Sequence, residues 1–237
     1  SKDVLQRLKG PIVPVTTCFR KDGTPDMEIA KYYTNWLCEQ GIPVILLTAG
    51  SCEFPWLCEK DIWELTETVG KAIDGRALFI ASTGFWPARK AKEFLHHADN
   101  CGADLVKIQL TKWKRLSADL LRAYFGQLEG TSHIPKLIWW TFEGIDRDLL
   151  HTIAKMADRE DVVGLKSDGD QFYDYYDLIR ATSDKQFSVI SGGQMRNFMF
   201  GYPLGSPAYL CPIGHFRPDI SLAFYKHLIE GQTSKAW

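Results

Sequence analysis

Short apolar runs alternate with amphipathic stretches along the whole chain. The runs have the length of buried strands, and the stretches between them repeat their apolar residues at helical spacing. The predicted strands are 10–17, 44–48, 77–81, 105–110, 137–141, 162–166, 187–190 and 208–211. The predicted helices are 25–40, 59–73, 87–102, 117–128, 146–157, 172–182, 195–202 and 218–229. In the first of these helices we expect Thr24 as the N-cap and Pro25 at the first helical position.

Eight strand–helix units in 237 residues fit a (β/α)8 TIM barrel with little decoration, since helices between short apolar strands make those strands parallel. An open, doubly wound sheet is the alternative. The chain has no glycine-rich turn after its first strand, which argues against a nucleotide-binding sheet. No linker, low-complexity tract or charge run divides the sequence, so residues 1–237 are predicted to form a single domain.

Composition and charge exclude several classes of protein. The chain is 45% apolar and 24% charged, which is ordinary for a globular protein. Its formal net charge of −1 gives no field that would recruit nucleic acid or an anionic membrane. No apolar run approaches the roughly 20 residues of a membrane helix, and the N-terminus lacks the apolar core of a signal peptide. We therefore expect a cytoplasmic protein.

Neither the cysteines nor the histidines have the spacing of a metal site. The six cysteines show no C-x-x-C pair and are expected to be reduced and mostly buried, as in a cytosolic protein. The six histidines include no H-E-x-x-H motif. The sequence therefore predicts a site without a bound metal.

A lysine at the end of the sixth predicted strand is the main candidate for chemistry. Strand periodicity puts Val162, Gly164 and Lys166 on one face. If that face is internal, burial disfavours the ammonium form, and the neutral amine can attack a carbonyl to form a Schiff base. A lysine that extends along the strand end to solvent is the alternative, and this stretch alone leaves both open.

A barrel enzyme carries its active site at the carboxyl ends of the strands, where further polar residues lie. The turn 49–53 offers backbone N–H groups, a hydroxyl and a thiol that can hold a carboxylate, although it also suits a simple connector. The same two interpretations apply to the turn 191–194. The cluster 112–115 is either a receptor for an anionic substrate or a solvated loop. Lys107 is either a second interior nucleophile or an outward-facing residue, and 139–143 is either core or an aromatic lining of the site.

Several of these segments resemble the dihydrodipicolinate synthase / N-acetylneuraminate lyase family of pyruvate-dependent class I aldolases, and the resemblance covers nearly the whole chain. Residues 162–166 are similar to the family's I-G-[IL]-K strand, which carries the Schiff-base lysine. The turn 49–53 corresponds to the G-T-T-G-E turn, 191–193 to S-G-D, and 204–205 to the start of L-G-[GA].

The resemblance implies a role for each matching residue. Lys166 would be the nucleophile, so the enzyme would need no cofactor beyond the covalent imine on this lysine. Ser51 stands at the second threonine, whose hydroxyl joins the proton relay and whose N–H holds the carboxylate of the keto acid. The implied substrate-binding residues are Gly50 (at the first threonine, without a hydroxyl), Cys52, Trp113, Trp140, Gly192 and Leu210.

The chain also departs from the family pattern. Trp113 takes the place of a proton-shuttling tyrosine, and an indole has no useful acid–base chemistry. Residues 140–143 replace a Y-N-x-P-x-R segment, and the arginine that the synthases use for a second carboxylate has no counterpart. The candidate replacements for the acid–base group are Ser51, Glu53, Lys112, His215 and a bound water, and Trp113, Trp140 and Phe142 make the pocket more aromatic. The family's C-terminal helical extension is absent or was not included.

Three functions remain open from the sequence. The preferred one is an aldolase or lyase acting on pyruvate or another 2-oxo acid through Lys166, with an aldehyde as co-substrate or product. The second is a Schiff-base dehydratase or hydratase of a keto acid. The third is a catalytically silent relative that binds a keto acid or a protein partner. The resemblance also implies a homo-oligomer, either a dimer or a tetramer.

Overall fold

The computed structural model describes residues 2–110, 117–140, 144–167, 172–192 and 194–236. Within them, parallel strands form a closed barrel in chain order, with the first strand paired to both the second and the last. The strands are β1 Gly10–Pro14, β2 Val44–Leu46, β3 Leu78–Ser82, β4 Leu105–Gln109, β5 Lys136–Trp140, β6 Val162–Ser167, β7 Ser188–Ser191 and β8 Ala208–Leu210. The (β/α)8 barrel predicted from the sequence is confirmed.

Helices connect the strands on the outside of the barrel. They are α1 Lys2–Arg7, α2 Met27–Glu39, α3 Glu59–Ile73, α4 Ala88–Asn100, α5 Ala118–Leu128, α6 Arg147–Met156, α7 Phe172–Thr182, α8 Gln194–Gly201, α9 Pro218–Ile229 and α10 Thr233–Ala236. The sequence pattern does not predict the two short terminal helices, α1 and α10, because four to six residues show too little periodicity to be recognised. No helix among the described residues has the length and apolar content needed to cross a membrane.

The start of α2 differs from the prediction. Asp26, not Thr24, is the N-cap, because its carboxylate accepts hydrogen bonds from the amides of Glu28 and Ile29. Pro25 lies before the helix, in an isolated bridge with Phe19. The hydroxyl of Thr24 instead donates to Asp22 within the preceding turn.

Apolar side chains form two separate layers around the strands. The outer layer lies between strands and helices and includes Val106, Ile138 and Leu165. The inner layer fills the barrel and includes Leu46, Ile80 and Leu137. This division follows from alternation along each strand, since successive side chains point to opposite faces of the sheet.

A register shift in β6 corrects the predicted face of the lysine strand. Lys136 pairs with Val162 but Leu137 pairs with Gly164, so Val163 is an extra residue, as in a bulge. Val162 therefore belongs to the outer layer and Val163 to the inner one, and the prediction that Val162 shares a face with Lys166 is wrong. After the shift, Gly164 lies opposite Leu137 and Lys166 opposite Trp139.

The cysteines are less buried than expected. All six are free thiols, but only Cys52 and Cys211 are buried, whereas Cys18 and Cys58 are exposed. The prediction of mostly buried thiols is therefore wrong. Among the described residues, no group of three or more histidines, cysteines and carboxylates has the geometry to hold a metal ion.

Candidate active site

Lys166 lies near the carboxyl end of β6 and is almost fully enclosed. The residue is 3% exposed, and its Nζ atom lies 3.9 Å from the ring centroid of Trp139 on the neighbouring strand β5. A cation this close to the face of an indole is attracted by the ring quadrupole. The alternative of a lysine that extends along the strand to solvent is therefore wrong.

Lys107 on β4 approaches the same indole. It is fully buried, and its Nζ atom also lies 3.9 Å from the Trp139 centroid. Its amine donates a hydrogen bond to the backbone carbonyl of Thr48. The two amines can be no further apart than twice 3.9 Å, so Lys107 is an interior residue that brings a second cation to Lys166.

The turn after β2 is a short 3-10 helix, Gly50–Cys52, between two residues in the left-handed region. Thr48 has φ of 56° and Glu53 has φ of 59°, conformations that cost energy for residues other than glycine. The amides of Gly50 and Ser51 lie in the first turn of this helix and have no acceptor within it. The turn thus presents backbone donors and the exposed Ser51 side chain at the barrel mouth.

Behind Ser51, a row of side chains joins the ends of β2, β8 and β1. The Ser51 hydroxyl is 3.8 Å from the Cys52 sulfur, and this sulfur is 3.9 Å from Nε2 of His215. On the other side of the ring, Nδ1 of His215 is 3.1 Å from the hydroxyl of Thr16. The hydroxyl of Tyr33 on α2 donates to the backbone carbonyl of His215 at 2.7 Å. The imidazole is therefore held from both edges and through its backbone.

Burial sets the charge state of this row. It raises the pKa of the Cys52 thiol to about 11 and that of Tyr33 to about 12. It lowers the pKa of His215 below the usual value of an imidazole. All three groups are consequently neutral near pH 7.

Two further predicted residues lie at the same end of the barrel. Gly192 follows β7, and its amide donates to the carbonyl of Ser167 at 2.7 Å, next to Lys166. That N–H is therefore engaged by the protein. Leu210 on β8 is 8% exposed and belongs to the inner layer, against which Trp139 packs.

The structure brings together some of the predicted site residues. Lys166 and Leu210 meet the inner layer around Trp139, and Cys52 belongs to that layer too. Gly50 and Ser51 are exposed on the adjoining turn. Residues 111–116 and 141–143, and hence Lys112, Trp113 and Phe142, lie outside the described residues, as does the side chain of Trp140.

Sequence reasoning leaves Trp139 open between core and site lining, and it does not identify Thr16 or Tyr33 as parts of the site. Trp139 is one of two adjacent tryptophans in an apolar strand, and only the register opposite Lys166 distinguishes it. Thr16 and Tyr33 reach His215 from 199 and 182 residues away in the chain. Such distant contacts leave no local signal in a single sequence.

Comparison with known proteins agrees with this architecture. The sequence model of the dihydrodipicolinate synthetase family matches residues 7–237. The chain is 26% identical over 234 residues to the putative 2-dehydro-3-deoxy-D-gluconate aldolase YagE of Escherichia coli K12, covering 96% of this chain and 76% of that protein. It is 24% identical over 239 residues to the probable 2-dehydro-3-deoxy-D-pentonate aldolase YjhH of the same organism, covering 98% and 78%.

Solved structures share the barrel. The crystal structure of dihydrodipicolinate synthase from Oceanobacillus iheyensis aligns with a TM-score of 0.89 at 21% identity, covering 99% of this chain and 78% of that one. The crystal structure of YagE in complex with pyruvate aligns with a TM-score of 0.84 at 22% identity, covering 96% and 78%. At these identities the likeness shows the fold.

Proposed function

Because the chain belongs to the dihydrodipicolinate synthetase family, we propose that it is a class I lyase that forms a Schiff base between Lys166 and a 2-oxo acid, with pyruvate as the first candidate. One observation carries the proposal: the amine of Lys166 is buried at the carboxyl end of a barrel strand, against an indole face. Active sites of such barrels lie at this end.

The chemistry follows from the amine. Its lone pair attacks the C2 carbonyl of the keto acid, and loss of water leaves a protonated imine. This iminium accepts the electron pair of a C3–H bond, which gives an enamine and releases a proton, or that of a C3–C4 bond, which gives an enamine and an aldehyde as the C4 hydroxyl loses its proton. The face of Trp139 offers the positively charged intermediate a favourable contact in place of water.

Lys107 supports the assignment of Lys166 as the nucleophile. A positive charge so near favours the neutral form of Lys166, and the neutral form is the one that attacks. Lys107 is the weaker candidate for attack because it is fully enclosed and its amine is bound to the Thr48 carbonyl. Lys166 lies closer to the strand end, beside the turn that follows β7.

The turn after β2 suits the substrate carboxylate. Backbone N–H groups at the start of a helix bind anions, and the Gly50 and Ser51 amides have no acceptor within the turn. Gly50 has no side chain there, so a substrate can approach the backbone closely. We infer that the carboxylate binds across Gly50 and Ser51 while C2 is attached to Lys166.

The relatives suggest which 2-oxo acids to test. YagE and YjhH are described as aldolases of 2-dehydro-3-deoxy sugar acids. Such acids carry a 2-oxo group, a C3 methylene and a C4 hydroxyl, so retro-aldol cleavage through the imine releases an aldehyde and leaves pyruvate on the lysine. We propose cleavage of this class of acid as the specific reaction. Loss of water with the carbon skeleton intact would instead identify a dehydratase.

Borohydride trapping tests the proposed function. Pyruvate and a panel of 2-oxo-3-deoxy sugar acids are incubated with the protein, and peptide mass spectrometry locates the reduced adduct. We expect one adduct on Lys166, its loss in Lys166→Arg, and its retention in Lys107→Arg. An adduct that survives in Lys166→Arg, or no adduct with any keto acid, would contradict the proposal.

A further inference from the structure

Enamine formation needs a group that takes a proton from C3 of the imine and later returns it. The row that begins at Ser51 contains suitable groups, with a hydroxyl at the mouth, a buried thiol behind it and an imidazole behind the thiol. The Cys52 sulfur lies 3.8 Å from the Ser51 hydroxyl and 3.9 Å from Nε2 of His215, and both are long hydrogen-bond contacts. Catalytic contacts in a site without substrate are often long and tighten when substrate binds.

We propose that Ser51, Cys52 and His215 form a proton relay between C3 of the Lys166 imine and the imidazole, with Thr16 holding the ring in position. This inference rests on the proposed function and names the acid–base group of that same site. Cys52 and His215 act through Ser51 and need not touch the substrate. Thr16 acts as a positioning residue through its contact with Nδ1.

The placement of the row suits this role. Its residues come from the ends of β1, β2 and β8, which adjoin one another in the barrel, whereas Lys166 lies on β6. Cys52 belongs to the inner layer against which Trp139 packs, and Trp139 contacts the Lys166 amine. The Lys166 amine and the Cys52 side chain therefore border the same inner layer, and Ser51 precedes Cys52 at the barrel mouth.

The proton transfer balances in atoms and electrons. The C3–H bond breaks, its electron pair forms the C2–C3 double bond, and the π pair of the iminium moves to nitrogen. The proton goes to Ser51 Oγ, the serine's own proton to Cys52 Sγ, and the thiol's proton to Nε2 of His215. The resulting imidazolium donates through Nδ1 to Thr16, and the reverse sequence returns the proton.

The charge states of the row are compatible with this direction of transfer. A neutral thiol has a proton to pass on, and a neutral imidazole has one nitrogen free to accept it. Among the residues that the structure describes, the titratable groups that face His215 are Cys52 from the turn after β2 and Tyr33 from α2, and burial keeps both protonated near pH 7. On its own segment, Arg217 is engaged by Asp219.

Deuterium exchange separates the relay from imine formation. Pyruvate is incubated with the protein in deuterated water, and NMR follows the loss of its methyl protons while borohydride trapping is run in parallel. Relative to the wild type, His215→Gln should keep the Lys166 adduct but exchange protons about 100-fold more slowly, in line with the usual contribution of general acid–base catalysis. Cys52→Ala should do the same, and Cys52→Ser should recover part of the rate.

The matched control is His97→Gln. His97 is partly buried like His215, but its ring contacts the backbone carbonyl of Trp63 and it lies on the outer helix α4. The control should change neither the exchange rate nor the trapping.

In the wild type, the exchange rate should fall as the pH drops through the pKa of His215, and this fall at low pH should be absent in His215→Gln. Wild-type exchange rates in His215→Gln with trapping intact would overturn the relay alone. Absence of any adduct in the wild type would overturn the proposed function.

Discussion

Lys107 changes the electrostatic environment of the proposed nucleophile. The Lys107 amine, like that of Lys166, lies against the indole ring of Trp139. Two ammonium groups at this separation repel by on the order of 2 kcal/mol at the effective dielectric of a protein site. The cheapest way to relieve the repulsion is for one of them to lose its proton.

Replacing Lys107 with methionine should therefore lower the reactivity of the Lys166 amine, although Lys166 itself is unchanged. Once the neighbouring charge is gone, Lys166 holds its proton to higher pH, so the pH profile of borohydride trapping with pyruvate should move upward by about 1.5 units. At pH 7 the trapping rate should fall by roughly 30-fold.

Two variants control for the loss of a buried lysine. Lys107→Arg keeps the charge and should keep the wild-type pH profile. Lys136→Met removes a lysine that is equally buried, but whose partner is Asp161 and not Trp139, and should leave the profile unchanged. An unshifted profile in Lys107→Met would show that Lys107 does not influence the nucleophile.

At the scale of elements, the lysine strand depends on Gly164. A methyl group added there would lie 2.5 Å from the backbone oxygen of Ser188 on β7 and 3.1 Å from the side chain of Leu137. Neither neighbour can move freely, since one is backbone and the other is packed in the inner layer. Glycine is thus required by the close approach of β6 and β7.

Gly164→Ala should lower the free energy of unfolding by about 1–3 kcal/mol, as overpacking in a core does. Gly126→Ala is the matched control, because Gly126 lies inside α5, is exposed and has open space around it. There the added methyl should stabilise by about 0.4–1 kcal/mol. Urea unfolding of both variants checks the pair, and equal effects would contradict the role assigned to Gly164.

Helix bounds can be predicted from this single sequence, but strand register cannot. The sequence pattern predicts the ranges of α3 and α9 closely, because each has a clear periodicity and a definite start or stop. It does not predict the bulge in β6, since Val162, Val163 and Gly164 fit either register of a buried strand equally well. Register depends on the partner strand, and for buried parallel strands alternation carries little information.

The candidate site is predictable only in part, for the same reason. Lys166 stands at a strand end within a recognisable segment, so its position can be inferred locally. The contacts of His215 with Thr16 and Cys52 depend on closure of the barrel, which brings residues from the two ends of the chain together. The hydrophobic pattern predicts such closure, but it does not say which side chains then meet.

For the molecule as a whole, the two ends of the barrel hold buried lysines in different ways. At the amino end of the strands, Lys136 is fully buried and its Nζ lies 3.2 Å from the carboxylate of Asp161, which Arg159 also binds. Burial alone would raise the pKa of Asp161, but the hydrogen bond from Arg159 and the charge of Lys136 hold it below its usual value. At the carboxyl end, Lys166 and Lys107 both place their amines against the Trp139 ring. We infer that the amino end serves stability and the carboxyl end chemistry, as is general for this fold.

Asp161→Asn tests this division of roles. The substitution leaves Lys136 buried without its counter-charge, which should cost about 3 kcal/mol, at the low end for a broken buried pair because a quarter of the Asp161 side chain is exposed. The depressed pKa of Asp161 means that the carboxylate stabilises the fold at neutral pH and ceases to do so as the pH falls through its folded-state pKa. The deficit in unfolding free energy should therefore be full at pH 7 and shrink below about pH 3.9. Borohydride trapping at 25 °C and pH 7, where the variant is still folded, should proceed at the wild-type rate. A trapping rate that fell together with the stability would show that the amino and carboxyl ends of the barrel are coupled.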